Sequence, residues 1–423
     1  MSIKINSIDL SNEQIAEINS DLLLKIENSK YNKFGPQKTV QAYALENEIA
    51  YLPFSYAIHK IGLKRPERSL FPPMITKFVG TLRDEQEVVK KEANQLLSKK
   101  GSVIISLGTG MGKTITSINI AVDIKLKTLV LVNKIVLINQ WEEAINKVCP
   151  FAKIQKITGK TEEFDAECDF FIMNASNVSK KSREFYKDIS LVICDEVHLI
   201  MAETLSKSLQ YITPRYLIGL SATPYREDGL DILLNLYFGE DKIIRLLQRK
   251  HIVYKVHTGL TIDMIKTDEG KINWGAIIDE QANNQARNEL IVSIAKKFKD
   301  RNIIILTKRI EQGKYLYERL KEEGEYVDSL LGKQQDFDRE CRILIGTVSK
   351  ISVGFDFPKL DCLIFGCDLE SYAIQSIGRV LRRVDVEPII FDLIDDNFIL
   401  NKHYKTREQI YKEIGGRIVN YKK

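Results

Sequence analysis

At 423 residues the chain is longer than one typical domain, so two large domains with smaller attachments are expected. Its 44% hydrophobic and 28% charged residues are ordinary for a soluble globular protein, and no apolar run approaches the length of a membrane-spanning helix. A net charge of +5 permits a nucleic-acid partner without arguing for one. The first residues, Met1-Ser2-Ile3-Lys4-Ile5-Asn6, lack the apolar core and cleavage site of a signal peptide, so an intracellular, soluble protein is expected. The six cysteines are scattered and none forms C-x-x-C, which suits buried free thiols better than disulfides or zinc.

Residues 1–78 mix a short helical pattern (Asn12 to Ile26) with Pro53, Pro66, Pro72 and Pro73, and read as a small accessory region. From 79 to 238 apolar runs alternate with helical segments. The pattern predicts strands at Val103–Ser106, Thr128–Val132, Phe170–Met173, Leu191–Cys194 and Tyr216–Leu220, and helices at Val136–Val148 and Ala202–Tyr211. Alternation of this kind implies an α/β domain, a parallel sheet covered on both faces. Residues 239–279, with Gly259 and Gly270, read as a linker or small insertion. A second alternating block, 280–400, predicts strands at Ile303–Thr307, Ile343–Gly346, Cys362–Phe365 and Ile389–Phe391. Residues 401–423 form a basic, aromatic tail. Two accounts of it are open: a flexible grip on nucleic acid, or a helix packed on the second domain through Tyr404, Ile410, Tyr411 and Ile414.

The first block carries Gly108-Thr109-Gly110-Met111-Gly112-Lys113-Thr114 between a strand and a helix. Glycines there let backbone N–H groups curl around a polyphosphate, and the helix N-terminus adds its positive dipole end. Lys113 can reach the β- and γ-phosphates, and the Thr114 hydroxyl can ligate Mg²⁺. The strict phosphate-loop pattern places glycine at position 107, where this chain has Leu107 and its glycine one place later. Farther on, an apolar strand delivers Asp195-Glu196-Val197-His198. Asp195 can hold Mg²⁺ through its water shell, while Glu196 can orient and deprotonate an attacking water. In the second block, Gln375-Ser376-Ile377-Gly378-Arg379-Val380-Leu381-Arg382 sets two arginines on one helix face, where they can neutralise charge on a γ-phosphate.

In this order the segments resemble the superfamily 2 helicases and translocases. Leu82-Arg83-Asp84-Glu85-Gln86 resembles the adenine-reading segment, with Gln86 as reader. Gly108 to Thr114 matches motif I, and Asn133-Lys134 with Gln140-Trp141 the motif Ia region that contacts the nucleic-acid backbone. Asp195 to His198 is the DExH form of motif II, and Ser221-Ala222-Thr223 is motif III. Gly346-Thr347-Val348 with Gly354-Phe355-Asp356 matches motif V, and Gln375 to Arg382 satisfies Q-x-x-G-R-x-x-R at every fixed position of motif VI. Arg226-Glu227-Asp228 looks like the R-E-D element of the xeroderma-pigmentosum-B-type DNA helicases, whose cores recur in helicases of phages and large DNA viruses.

The resemblance covers about Gly80 to Asp396. It implies two tandem RecA-like domains that hold ATP and Mg²⁺, with Lys113, Thr114, Asp195 and Glu196 from the first and Gln375, Arg379 and Arg382 from the second. It further implies that His198, Ser221, Thr223, Arg226, Glu227, Asp228, Gly354 and Asp356 couple hydrolysis to movement, and that Lys134 and Thr347 grip phosphates. DNA is favoured over RNA, and protein partners would come from transcription, repair or replication. A duplex translocase that separates no strands and an RNA helicase share these motifs and stay open.

Overall fold

The structure is a computed structural model that describes residues 1–423 apart from 27–37, 109, 202–208, 223–230, 269, 271, 353–354, 370–372 and 423. Thr109, Thr223, Arg226, Glu227, Asp228 and Gly354, and most of the helix expected at Ala202–Tyr211, therefore lie outside the described residues. The chain divides into two compact units that part between Arg245 and Leu246.

The first unit begins with β1 (Ser2–Asn6), the helix Asn12–Leu22, β2 (Leu23–Ile26), β3 (Lys38–Gln41), β4 (Ala44–Glu46) and β5 (Ile49–Pro53). The helical pattern read through Ile26 stops at Leu22, where the chain turns into β2 to pair antiparallel with β3. A capping box starts the helix: Ser11 accepts the Gln14 N–H while the Gln14 side chain accepts the Ser11 N–H. Strands β1, β5 and β4 form a small antiparallel sheet. Its residues Ile3 and Leu52 share one continuous core with Leu129 and Val192 of the larger sheet. Residues 1–78 thus build on the first domain rather than around a core of their own.

That larger sheet contains β6 (Ser102–Leu107), β7 (Thr128–Val132), β8 (Ile154–Ile157), β9 (Phe170–Asn174), β10 (Leu191–Cys194), β11 (Tyr216–Ser221) and β12 (Lys242–Arg245). Its order is β12-β6-β11-β10-β7-β9-β8, parallel throughout. Helices Asp84–Lys100, Lys113–Ile124 and Ile135–Val148 flank it. β6, β7 and β10 are buried along their whole length, as expected of strands covered on both faces.

The second unit repeats the architecture with β13 (His251–Thr261), β14 (Ile303–Thr307), β15 (Val327–Leu330), β16 (Ile343–Thr347), β17 (Cys362–Phe365), β18 (Ile389–Asp396) and β19 (Gly416–Asn420), in the order β15-β16-β14-β17-β18-β13-β19. This is the α/β architecture of paired parallel sheets expected from the sequence. One expectation changes and one open choice is decided. The stretch 239–279 is no plain linker: β12 extends the first sheet and β13 is an interior strand of the second. Of the two accounts of the tail, the packed helix is the one found. The helix Phe398–Glu413 buries Tyr404, Arg407 and Tyr411, and β19 pairs with β13. Apolar residues at Tyr404, Tyr411 and Ile414 outweigh the basic composition, because only the outward positions, such as Lys402 and Lys405, carry the lysines.

Candidate active site

The site in the first unit grows from the C-terminal ends of three neighbouring strands, β6, β11 and β10. After β6 the chain passes through Gly108 and enters the helix Lys113–Ile124 at Gly112. Gly110 (φ +87°) and Gly112 (φ +85°) occupy left-handed backbone that L side chains avoid, which is why glycine stands at both. Met111 between them is turned inward and buried. The Lys113 ammonium folds back and donates to the Leu107 carbonyl at 2.9 Å, while Thr114 opens the first helical turn beside it.

Gln86 closes the loop from the other side. Its Oε1 accepts the Arg83 N–H at 2.9 Å, and its Nε2 donates to Thr116 Oγ1 at 3.3 Å and the Gly112 carbonyl at 3.4 Å. A Cβ at position 112 would lie 2.2 Å from that Nε2, a second reason for glycine there. Arg83, Gln86 and Gly112 therefore form one unit, with Gln86 almost wholly buried.

β10 ends in the acidic pair. Asp195 Oδ1 accepts the Glu196 N–H at 3.0 Å, and Oδ2 accepts the Trp141 indole N–H at 2.8 Å. Burial first, then the neighbouring Glu196 carboxylate, pushes the Asp195 carboxyl up to about 6; Trp141 and Lys113 pull the other way without prevailing. Glu196 itself has φ +47°, an uncommon left-handed conformation for a non-glycine residue, at the turn into the helix Val197–Ile200. Two residues along, His198 Nδ1 lies 2.8 Å from Ser221 Oγ and 3.6 Å from Glu196 Oε2. β10 and β11 pair in register, Cys194 opposite Gly219, which is what sets these two segments side by side. Lys134 stands just before the helix Ile135–Val148, half-buried.

The donors suit a hydrated Mg²⁺ rather than a protein cage. Among the described residues no cluster of three or more His, Cys, Asp or Glu could enclose a metal. One carboxylate whose ionisation is penalised and one hydroxyl suit a cation that keeps most of its waters and shares phosphate oxygens.

In the second unit, Thr347 ends β16, nearly buried, with its hydroxyl 3.3 Å from Ser349 Oγ. The helix Ala373–Val380 holds Gln375, buried, with neither amide atom hydrogen-bonded among the described residues. The two arginines do not share one helix face as expected, because the helix ends at Val380 and Arg382 stands in the turn beyond it. Arg379 Nη1 donates to the Phe355 carbonyl at 2.6 Å, and Arg382 Nη1 pairs with Asp356 Oδ1. The segments read as motifs V and VI thus meet through both arginines.

Two features escaped the sequence. Trp141, read with Gln140 as part of a nucleic-acid-contacting segment, is 1% exposed and faces Asp195 instead. The spacing Leu137, Trp141, Ile145, Val148 was the available signal, the stripe of a helix face turned to the core. The second is a buried charge network. Arg407 donates to both oxygens of Asp392 (2.8 and 2.9 Å) and to Asp368 Oδ1 (2.9 Å), while His403 Nδ1 lies 2.6 Å from Asp368 Oδ2. Nothing in the composition of a basic tail marks Arg407 as buried.

Residues 80–226 match the family model of the type III restriction enzyme res subunit. A protein of Invertebrate iridescent virus 6 named as helicase 161L is 43% identical, over the full length of both chains. The chain belongs to the superfamily 2 helicases. It is an ATP-dependent helicase or translocase acting on nucleic acid, related to the xeroderma-pigmentosum-B-type and viral members. The DNA 3′-5′ translocase XPB2 of Sulfurisphaera tokodaii is 26% identical across 74% of this chain and 81% of its own. Among solved structures, S. cerevisiae Dbp5 bound to RNA and ADP BeF3 aligns with a TM-score of 0.56 at 15% identity, over 78% of this chain and 89% of that one, a likeness of fold. Among the described residues no helix is long and apolar enough to cross a membrane.

Proposed function

We propose that this helicase acts on DNA and that its ATPase is assembled from the residues above. The carrying observation is the convergence, at the ends of β6, β10 and β11, of a glycine loop with Lys113, an acidic pair whose Asp195 is buried, and a His198–Ser221 contact. The loop N–H groups and Lys113 would bind the polyphosphate, with Lys113 exchanging the Leu107 carbonyl for phosphate oxygens. Gln86, flanking the loop, would report on the adenine. Thr114 and Asp195 would hold Mg²⁺, which when bound neutralises phosphate charge. Glu196 would orient and deprotonate the attacking water.

The second unit has arginines and no phosphate loop, so its part is to stabilise charge developing on the γ-phosphate. Arg379 and Arg382 offer planar guanidinium forks that suit phosphate oxygens, and the Gln375 amide donates to no partner among the described residues. Arg382 would leave Asp356 to do so, which makes motif V sense the nucleotide. His198 and Ser221 would carry the same state to motif III. Lys134 and Thr347 would grip the nucleic-acid backbone, so sequence specificity should be low.

DNA is preferred to RNA because the XPB2 relative is named a DNA translocase. The test is ATPase activity of the full chain with single-stranded DNA, duplex DNA and RNA, followed by strand displacement and triplex displacement. Stimulation by RNA alone would overturn the DNA reading, and triplex displacement without strand separation would make it a translocase. A fragment of residues 1–245, which keeps β12, should bind ATP yet hydrolyse it hardly at all. Turnover by that fragment at the stimulated full-length rate would refute the role given to the second unit.

A further inference from the structure

Trp141 carries a polar bond that its position does not require. It lies on the inward face of the helix Ile135–Val148, in a row with Leu137 and Ile145, where a phenylalanine would supply much the same apolar contact. Its indole N–H, a donor only, has found the Asp195 carboxylate as acceptor at 2.8 Å. The other Asp195 oxygen takes the Glu196 N–H at 3.0 Å. Two donors from two different elements thus fix the rotation of this carboxylate, and each oxygen keeps a lone pair to offer elsewhere.

We infer that Trp141 is a positioning residue for Asp195, orienting the carboxylate for a Mg²⁺-bound nucleotide and tying that orientation to the helix headed by Lys134. The inference rests on reading Asp195 as the residue that meets Mg²⁺. A helix is stiff along its axis, and the seven residues from Lys134 to Trp141 span about 10 Å. A displacement of the helix when nucleic acid engages Lys134 therefore reaches Asp195 through this hydrogen bond. Groups that orient metal-binding side chains typically matter by about 10–100-fold in metal affinity or activity.

The test uses the full chain and the fact that it holds only two tryptophans, Trp141 and Trp274. Trp141→Phe keeps the ring and removes the donor. The expected result is an unchanged KM for ATP, a kcat lower by roughly 10–100-fold, and a rise in the Mg²⁺ concentration needed for half-maximal rate. A Trp274→Phe chain leaves Trp141 as the sole indole, and its emission should respond more to ADP with Mg²⁺ than to ADP with EDTA. An unchanged Mg²⁺ requirement in Trp141→Phe overturns the inference, whatever its thermal midpoint, and so does emission blind to Mg²⁺. A wild-type chain with no Mg²⁺-dependent ATPase would sink the reading of Asp195 itself, which the control shows separately.

Discussion

The two seven-stranded sheets share an architecture and differ in how they treat buried charge. In the first, Asp195 sits beside another carboxylate with an indole as its side-chain donor, and burial drives its carboxyl up to about 6. In the second, burial would raise the Asp368 carboxyl too, but hydrogen bonds from His403 and Arg407 hold it below the ordinary value. Asp395 is likewise paired: Arg287 meets both of its oxygens with its Nε at 3.1 and 3.2 Å. A compensated buried charge is scaffold; an uncompensated one marks a place completed by something from outside the protein. The second unit has exceptions of its own: burial raises the Asp361 carboxyl even though Arg301 and Arg383 pull it down, and in motif VI buried Gln375 lacks a partner among the described residues.

The contrast can be broken in several ways. The largest effect should come from Arg382→Ala. ATP and nucleic acid should still bind, while stimulated hydrolysis falls by about 10³–10⁵-fold, the usual worth of an arginine finger. Steady-state ATPase with and without DNA measures it, and near-normal stimulation would return Arg382 to its Asp356 pair as a structural residue. Glu196→Gln keeps the volume and removes the base, so turnover should drop about 10²–10⁴-fold with ATP affinity retained. Equilibrium binding of labelled nucleotide alongside turnover separates the two.

Arg407→Met tests the scaffold side. It strips Asp392 and Asp368 of their shared cation, so urea unfolding should show a loss of about 3–5 kcal/mol. A loss below that of an ordinary surface change would mean the network is dispensable.

The smallest effect has the opposite sign. Because the folded Asp195 holds its proton more tightly than an unfolded aspartate does, its charged form weakens the fold as pH rises from about 4 through about 6. Asp195→Asn should therefore raise the ligand-free thermal midpoint at pH 7.5 by about 2–4 °C, and the gap should narrow towards pH 5. It should be inactive all the same. A midpoint lowered at pH 7.5 would show that the carboxylate is compensated after all.

The strands were legible one by one. Thr128–Val132, Leu191–Cys194, Ile303–Thr307 and Cys362–Phe365 stand where their apolar runs placed them, because a strand buried on both faces has no polar alternation to blur its ends. Motif I, the acidic pair and the Q-x-x-G-R-x-x-R pattern were legible too, since phosphate and carboxylate chemistry demands particular residues at short spacing, although the helix stops at Val380, before Arg382. What composition could not show was membership. β13 lies in a stretch rich in polar residues, and β19 in a basic tail; each is a strand because its neighbour supplies the ladder of hydrogen bonds. Partnership was equally hidden. Trp141 and Asp195 stand 54 residues apart, and His198 and Ser221 stand 23 apart. Local sequence determined which chemistry this protein carries, for a phosphate loop is a short-range pattern. Only the packing of β10 against β11 and of the helix Ile135–Val148 onto the sheet decided which donor meets which carboxylate, because such contacts arise from strand order and burial rather than from spacing along the chain.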